Sequence, residues 1–161
     1  MSGLLSAIKL QQAGIPFTVI EKNDAVGGTW YENRYPGCGV DTPNHFYSYS
    51  FEPSHEWTEF YSKRDELHQY FENCADKYDL RRDIRFETEV VSLRYDEASA
   101  SWYVSISGND GAEETLRANA VITAVGQLNR PKIPDIPGLD TFKGRAFHTA
   151  GWDLSLIHIS E

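Results

Sequence analysis

Hydrophobic positions change period several times along the chain, and each change marks an element. Leu4, Leu5 and Ile8, with Leu10 as an outlying member, recur at helical spacing over residues 3–13, and Gly14 follows as a stop signal. The run Phe17-Thr18-Val19-Ile20 is short and rich in β-branched residues, as in a buried parallel strand, and it ends in Glu21. Residues 23–62 lose periodicity while Gly, Pro, Asn and aromatic residues accumulate, which predicts a long ordered loop of the functional kind. Helical spacing returns over 64–78 through Leu67, Tyr70, Phe71 and Cys74.

Alternating runs at 84–86, 89–95, 102–107 and 115–117, with turn residues at 96–101 and 108–111, predict a small antiparallel meander over about 84–117. Residues 120–125 (AVITAV) then form a nearly continuous apolar run closed by Gly126, which again predicts a buried parallel strand. Pro131, Pro134 and Pro137 make 130–138 an extended connector. Residues 154–161 show no periodicity and join Trp152-Asp153 abruptly, so they are expected to be a disordered or non-native tail.

The 161 residues suffice for one core, and their balance of 15 Lys plus Arg against 24 Asp plus Glu gives a net charge of −9. Such a chain repels phosphate backbones, so nucleic acid and anionic membrane are poor partners. No apolar run reaches a membrane span of about 18–20 residues, and no signal peptide is visible, which makes the cytoplasm the expected location. Cys38 and Cys74 have neither disulfide nor zinc spacing, and no metal site is expected. The 13% aromatic content is uneven, with Trp30, Tyr31, Tyr35, Phe46, Tyr47, Tyr49, Phe51, Trp57, Phe60 and Tyr61 crowded together as if to bind something flat.

A dinucleotide signal lies at the start of the chain. Ser2-Gly3 suits the end of a glycine-rich phosphate turn, because Gly3 opens a helix and Glu21 follows at a strand end, near the spacing of about 20 seen in such folds. Glu21 would accept ribose hydroxyls and favour a ligand with a free 2′-OH. An ordinary helix–strand pair explains these residues equally well.

More specific are Gly27-Gly28-Thr29-Trp30, Asn33-Arg34-Tyr35-Pro36-Gly37 and Val40-Asp41-Thr42-Pro43. A second block, from Phe142 through Gly144 and His148 to Trp152-Asp153, fits F-x-G-x-x-x-H-x-x-x-W-[PD] at every fixed position. Chance would place that pattern in about one chain in ten thousand. Together the blocks resemble class B flavoprotein monooxygenases of the Baeyer–Villiger type, with 41–51 most similar to 4-hydroxyacetophenone monooxygenases.

The resemblance implies an α/β fold, a Rossmann-like FAD-binding domain of the two-dinucleotide-binding-domain flavoprotein type over 1–150. That domain would carry the meander and an exit linker at about 127–150, lack its first strand, and be followed by a truncated linker end and tail at 151–161. Ser2 and Gly3 would meet the FAD pyrophosphate and Glu21 the adenosine ribose. Thr29, Trp30, Asp41 and Tyr47 would lie toward the flavin, the backbone at Val90 toward adenine, and Gly126 and Gln127 in the segment returning to FAD. Gly39, Val40 and Asp41 are expected to touch NADPH. Phe142, Gly144, His148, Trp152 and Asp153 form the family fingerprint, with His148 a linker residue rather than an acid–base group. No catalytic residue is implied beyond support of the flavin or of a catalytic arginine by Asp41.

The implied reaction is oxygen insertion into a ketone from O2 and NADPH through a C4a-peroxyflavin. The chain is expected to be an inactive fragment of that enzyme, because no second glycine-rich unit follows. The alternatives are an N- or S-oxygenating flavin monooxygenase and a nucleotide-binding module without turnover.

Overall fold

The computed structural model describes residues 1–128 and 130–155. The chain forms two compact units, one built from 1–26 and 71–125, the other from 27–70 and the described residues after 125.

The first unit opens with α1 (Ser2–Gln12), which buries Leu4, Ala7 and Ile8 at i, i+3 and i+4. Leu5, expected on that stripe, is 37% exposed. One residue is a 100° rotation, so position 5 turns off the face that positions 4, 7 and 8 share. The helix ends in a Schellman motif: the Gly14 N–H donates to the Gln11 carbonyl and the Ile15 N–H to the Leu10 carbonyl, both at 3.0 Å. Gly14 sits at φ +67°, where a side chain would be strained.

Strand β1 (Val19–Ile20) is shorter than the predicted 17–20 and pairs in parallel with β2 (Ile84–Arg85), Val19 opposite Ile84 and Ile20 opposite Arg85. This corrects the reading of 84–86 as the first meander strand. The chain reaches β2 through a second long helix, and a helical crossover delivers a strand parallel to the one it left.

The meander itself comprises β3 (Thr88–Asp96), β4 (Ser101–Gly108) and β5 (Glu113–Ala118), antiparallel in that order. Its register sets Leu93, Val104 and Leu116 on one face and Arg94, Tyr103 and Arg117 on the other. A bulge between Val90 and Ser92 interrupts the β3 ladder.

Residues 120–125, predicted as a buried strand, pair with no described residue, and Ile122 and Val125 are 60% and 73% exposed. An apolar run becomes a buried strand only where neighbouring strands complete its hydrogen bonds. None among the described residues does so.

The second unit contains the short helix α2 (Thr29–Glu32), and the long helix α3 (Arg64–Lys77) contributes its first half here and its second half to the other unit. Leu67, Tyr70, Phe71, Cys74 and Ala75 of α3 are buried, as the periodicity predicts. Residues 131–138 carry no regular structure, and 3-10 turns follow at Leu139–Thr141 and Thr149–Gly151. Of the expected tail at 154–161, all but Leu154 and Ser155 lies outside the described residues. Cys38 and Cys74 are buried and form no disulfide among the described residues. No helix among the described residues is long and apolar enough to cross a membrane, and no His, Cys, Asp and Glu cluster among them could hold a metal.

Candidate dinucleotide and flavin site

In the first unit, Ser2 and Gly3 form the first turn of α1, which has neither a capping side chain nor an acidic residue in that turn. Its leading N–H groups point along the axis without a helix partner, the arrangement that suits an anion. A Cβ on Gly3 would stand 3.7 Å from the Ala124 Cβ, so the helix start lies close to the 120–125 segment.

Glu21 is fixed on three sides. Its N–H donates to the Arg85 carbonyl at 3.0 Å and its carbonyl accepts from Thr88 at 3.0 Å, which continues the β1–β2 ladder by one residue and ties it to β3. Its Oε1 accepts the Asn23 N–H at 2.9 Å. The carboxylate is thus held at the strand end. Val90 lies at the bulge of β3, the strand that starts beside Glu21.

In the second unit the loop from Gly27 to Ser62 is built around paired aromatics. Gly27 and Gly28 take φ of +127° and +54° to turn the chain into α2, and a Cβ on Gly27 would come within 2.6 Å of the His68 ring. Trp30 in α2 is buried, and its Nε1 donates to the Tyr47 hydroxyl at 3.1 Å. The two rings meet edge to face at 5.7 Å. Thr29 is exposed beside Trp30. The structure therefore brings together Thr29, Trp30 and Tyr47.

Asp41 follows a short antiparallel contact between 38–40 and 62–64: Val40 donates to the Ser62 carbonyl at 3.0 Å, Arg64 to the Cys38 carbonyl at 2.8 Å, and Gly39 faces Lys63. Val40 is buried there, Gly39 is partly covered, and Asp41 emerges exposed with Thr42 Oγ1 donating to it at 3.3 Å. Gly126 and Gln127 are exposed and in no element.

The loop is locked by residues that the sequence did not single out. Asn44 is 1% exposed. Its Nδ2 donates to the Glu59 carbonyl at 2.7 Å and to Ser62 Oγ at 2.6 Å, while its Oδ1 accepts the Ser62 N–H at 3.1 Å. Nothing in the sequence distinguishes a buried Asn of this kind from a turn residue. Glu66 accepts the Thr58 N–H at 2.9 Å. Hydrogen bonds from Ser62 first, then Thr58, hold its carboxyl below the ordinary glutamate value.

The fingerprint residues build a local module. The Phe142 ring fills the space a Cβ on Gly144 would occupy, which explains the F-x-G spacing. His148 Nδ1 accepts the Ala150 N–H at 3.1 Å and caps the turn at Thr149–Gly151. Phe147 and Trp152 pack edge to face at 5.1 Å, and Arg145 reaches Asp153 at 3.2 Å. Hydrogen bonds from the Ser155 hydroxyl and N–H hold the Asp153 carboxyl below its ordinary value, with Arg145 adding to them.

In the first unit, a helix with an uncapped start followed by a strand that ends in a glutamate is the arrangement of dinucleotide-binding folds. The chain belongs to the flavin-binding monooxygenase-like family, which matches it over residues 1–155. It is 43% identical over 152 residues to a Baeyer–Villiger monooxygenase of Streptomyces coelicolor, covering 94% of this chain and 28% of that protein. A Baeyer–Villiger monooxygenase of Pseudomonas aeruginosa is 40% identical over 153 residues, with coverage of 94% and 28%. Among solved structures, OTEMO in complex with FAD and NADP superposes with a TM-score of 0.83 at 37% identity, over 94% of this chain and 28% of that one. The chain thus spans little more than a quarter of the length of these relatives.

Proposed function

We propose that this chain is the FAD-holding part of a monooxygenase that inserts one oxygen atom from O2 into a ketone at the expense of NADPH. The observation that carries the reading is the α1–β1 unit: small residues at an uncapped helix start, and a carboxylate fixed at the following strand end. The residues present fit FAD. The first-turn amides of α1 and the Ser2 hydroxyl suit a pyrophosphate, and Glu21 suits the ribose hydroxyls. In the second unit, Thr29 and the hydrogen-bonded Trp30–Tyr47 pair would stand toward the isoalloxazine ring. Val90 would serve the adenine, Gly126 and Gln127 the return of the chain to FAD, and Gly39, Val40 and Asp41 the nicotinamide nucleotide. Bound FAD, reduced by NADPH, would supply the oxygen-activating chemistry; the protein groups bind, orient and exclude water.

The Baeyer–Villiger relatives support the ketone over an amine or thioether as substrate. Because the chain spans only about 28% of them, we propose that these 161 residues alone do not complete the reaction. NADPH consumption and lactone or ester formation, measured with the purified chain, FAD and a panel of ketones, test this. No product above the enzyme-free control is expected, and sustained turnover would overturn it.

A further inference from the structure

The two residues proposed to face the flavin ring are held from behind by a single helix. At its first residue, the Arg64 Nη2 donates to the Tyr31 carbonyl at 3.0 Å, one residue beyond Trp30. At Tyr70, the hydroxyl stands between two backbone groups: it accepts the buried Tyr49 N–H at 2.9 Å and donates to the Glu52 carbonyl at 2.7 Å. Tyr49 is two residues beyond Tyr47, and the Glu52 N–H donates back to the Tyr49 carbonyl at 2.9 Å. Stacking of Tyr49 on Phe51 at 5.3 Å and packing of Trp57 on Tyr70 at 5.4 Å enclose this junction in aromatic rings.

We infer that Tyr70 and Arg64 are positioning residues for the Trp30–Tyr47 pair, an inference that rests on the proposed placement of that pair beside the flavin. The Tyr70 hydroxyl has both a donor and an acceptor partner on main chain, the first buried and the second part-buried. A phenylalanine there keeps the ring packing but leaves the Tyr49 N–H and the Glu52 carbonyl without their shared partner. A buried main-chain group in that state draws the chain toward another partner or toward water. The turn at 49–52 then loosens, and Tyr47, two residues away, keeps its own N–H on the Asn44 carbonyl at 3.0 Å but loses the downstream support that helps set its hydroxyl against Trp30 Nε1. Arg64 acts on the other arm: its Nη2 holds the Tyr31 carbonyl, which Arg34 Nε also reaches at 3.3 Å, while its Nη1 is tied to Asp65, a two-ended hold that a lysine's flexible stem would not keep.

The Trp30 indole N–H reports the geometry directly. In a two-dimensional NMR spectrum of the 161-residue chain without FAD, that resonance is assigned by its loss in Trp30→Phe, and Tyr47→Phe gives its position when the hydrogen bond is gone. Tyr70→Phe is expected to move the resonance toward the Tyr47→Phe position and to weaken FAD binding about 3–10-fold. A Tyr70→Phe protein that melts earlier, yet keeps the wild-type resonance and FAD affinity well below its melting temperature, overturns the inference, since Tyr70 would then be structural only. Should Tyr70→Phe not fold, Arg64→Lys carries the same expectation and the same overturning result. Unchanged FAD affinity in both Trp30→Phe and Tyr47→Phe would instead overturn the flavin placement itself. That failure is told apart because the resonance is read without cofactor.

Discussion

Asn44 shows how one buried polar side chain organises the aromatic loop. It satisfies the Glu59 carbonyl and both the hydroxyl and N–H of Ser62 across 18 positions of chain. Removing the amide takes one partner from each of these groups, while the Ser62 hydroxyl keeps Glu66, so Asn44→Ala is expected to cost about 1–3 kcal/mol; an unchanged urea midpoint would contradict this. Glu66 makes a related contact at the loop's far end and lends it a pH dependence. Its carboxyl is held below the ordinary glutamate value in the folded chain. The stabilisation is therefore present above the unfolded-state value and is lost as pH falls through the lower folded-state value. Hydrogen exchange at the Thr58 amide should accelerate, relative to neighbouring amides, only in that acidic range, and Glu66→Gln should abolish the step. A wild-type step at neutral pH would contradict the assignment.

At the scale of elements, the helices were the most legible because burial follows a 3.6-residue period that the sequence prints directly. The misplacement of Leu5 arose because a two-residue apolar run cannot say which member faces inward; Ala7, small and unremarkable in composition, takes the buried place. The strands were less legible because strand identity depends on a neighbour. Residues 84–86 alternate as a meander strand would, yet the α3 crossover delivers Ile84–Arg85 parallel to β1. Residues 120–125 have a buried strand's composition and no ladder among the described residues. Turns were legible wherever glycine was required. Gly14→Ala, at φ +67° in the Schellman motif, should destabilise the chain by about 1 kcal/mol. Gly27→Ala should cost more, because its Cβ meets the His68 ring as well as an unfavourable φ. Equal thermal shifts for the two variants would contradict that ordering.

For the molecule as a whole, the candidate site was readable as a set of motifs and not as a set of contacts. Glu21, Trp30 and Tyr47 stand in motifs and are visible in the sequence; Asn44, Ser62, Arg64 and Tyr70, which fix the loop, act through main-chain groups that no motif records. The fingerprint around His148 was equally visible, while the reasons for its spacing, a ring over Gly144 and a capped turn, required coordinates. The chain belongs to the flavin-binding monooxygenase-like family and spans about 28% of the length of the relatives it matches.

The central claim is that this chain holds FAD, with Glu21 on the ribose. Its most direct test is a titration of the 161-residue chain with FAD, followed by flavin fluorescence, for the wild type and for Glu21→Gln, which keeps an acceptor for the Asn23 N–H and removes the charge. The account predicts weak, saturable binding by the wild type and about tenfold weaker binding by the variant. Equal affinities, or no saturable binding by the wild type, would contradict it.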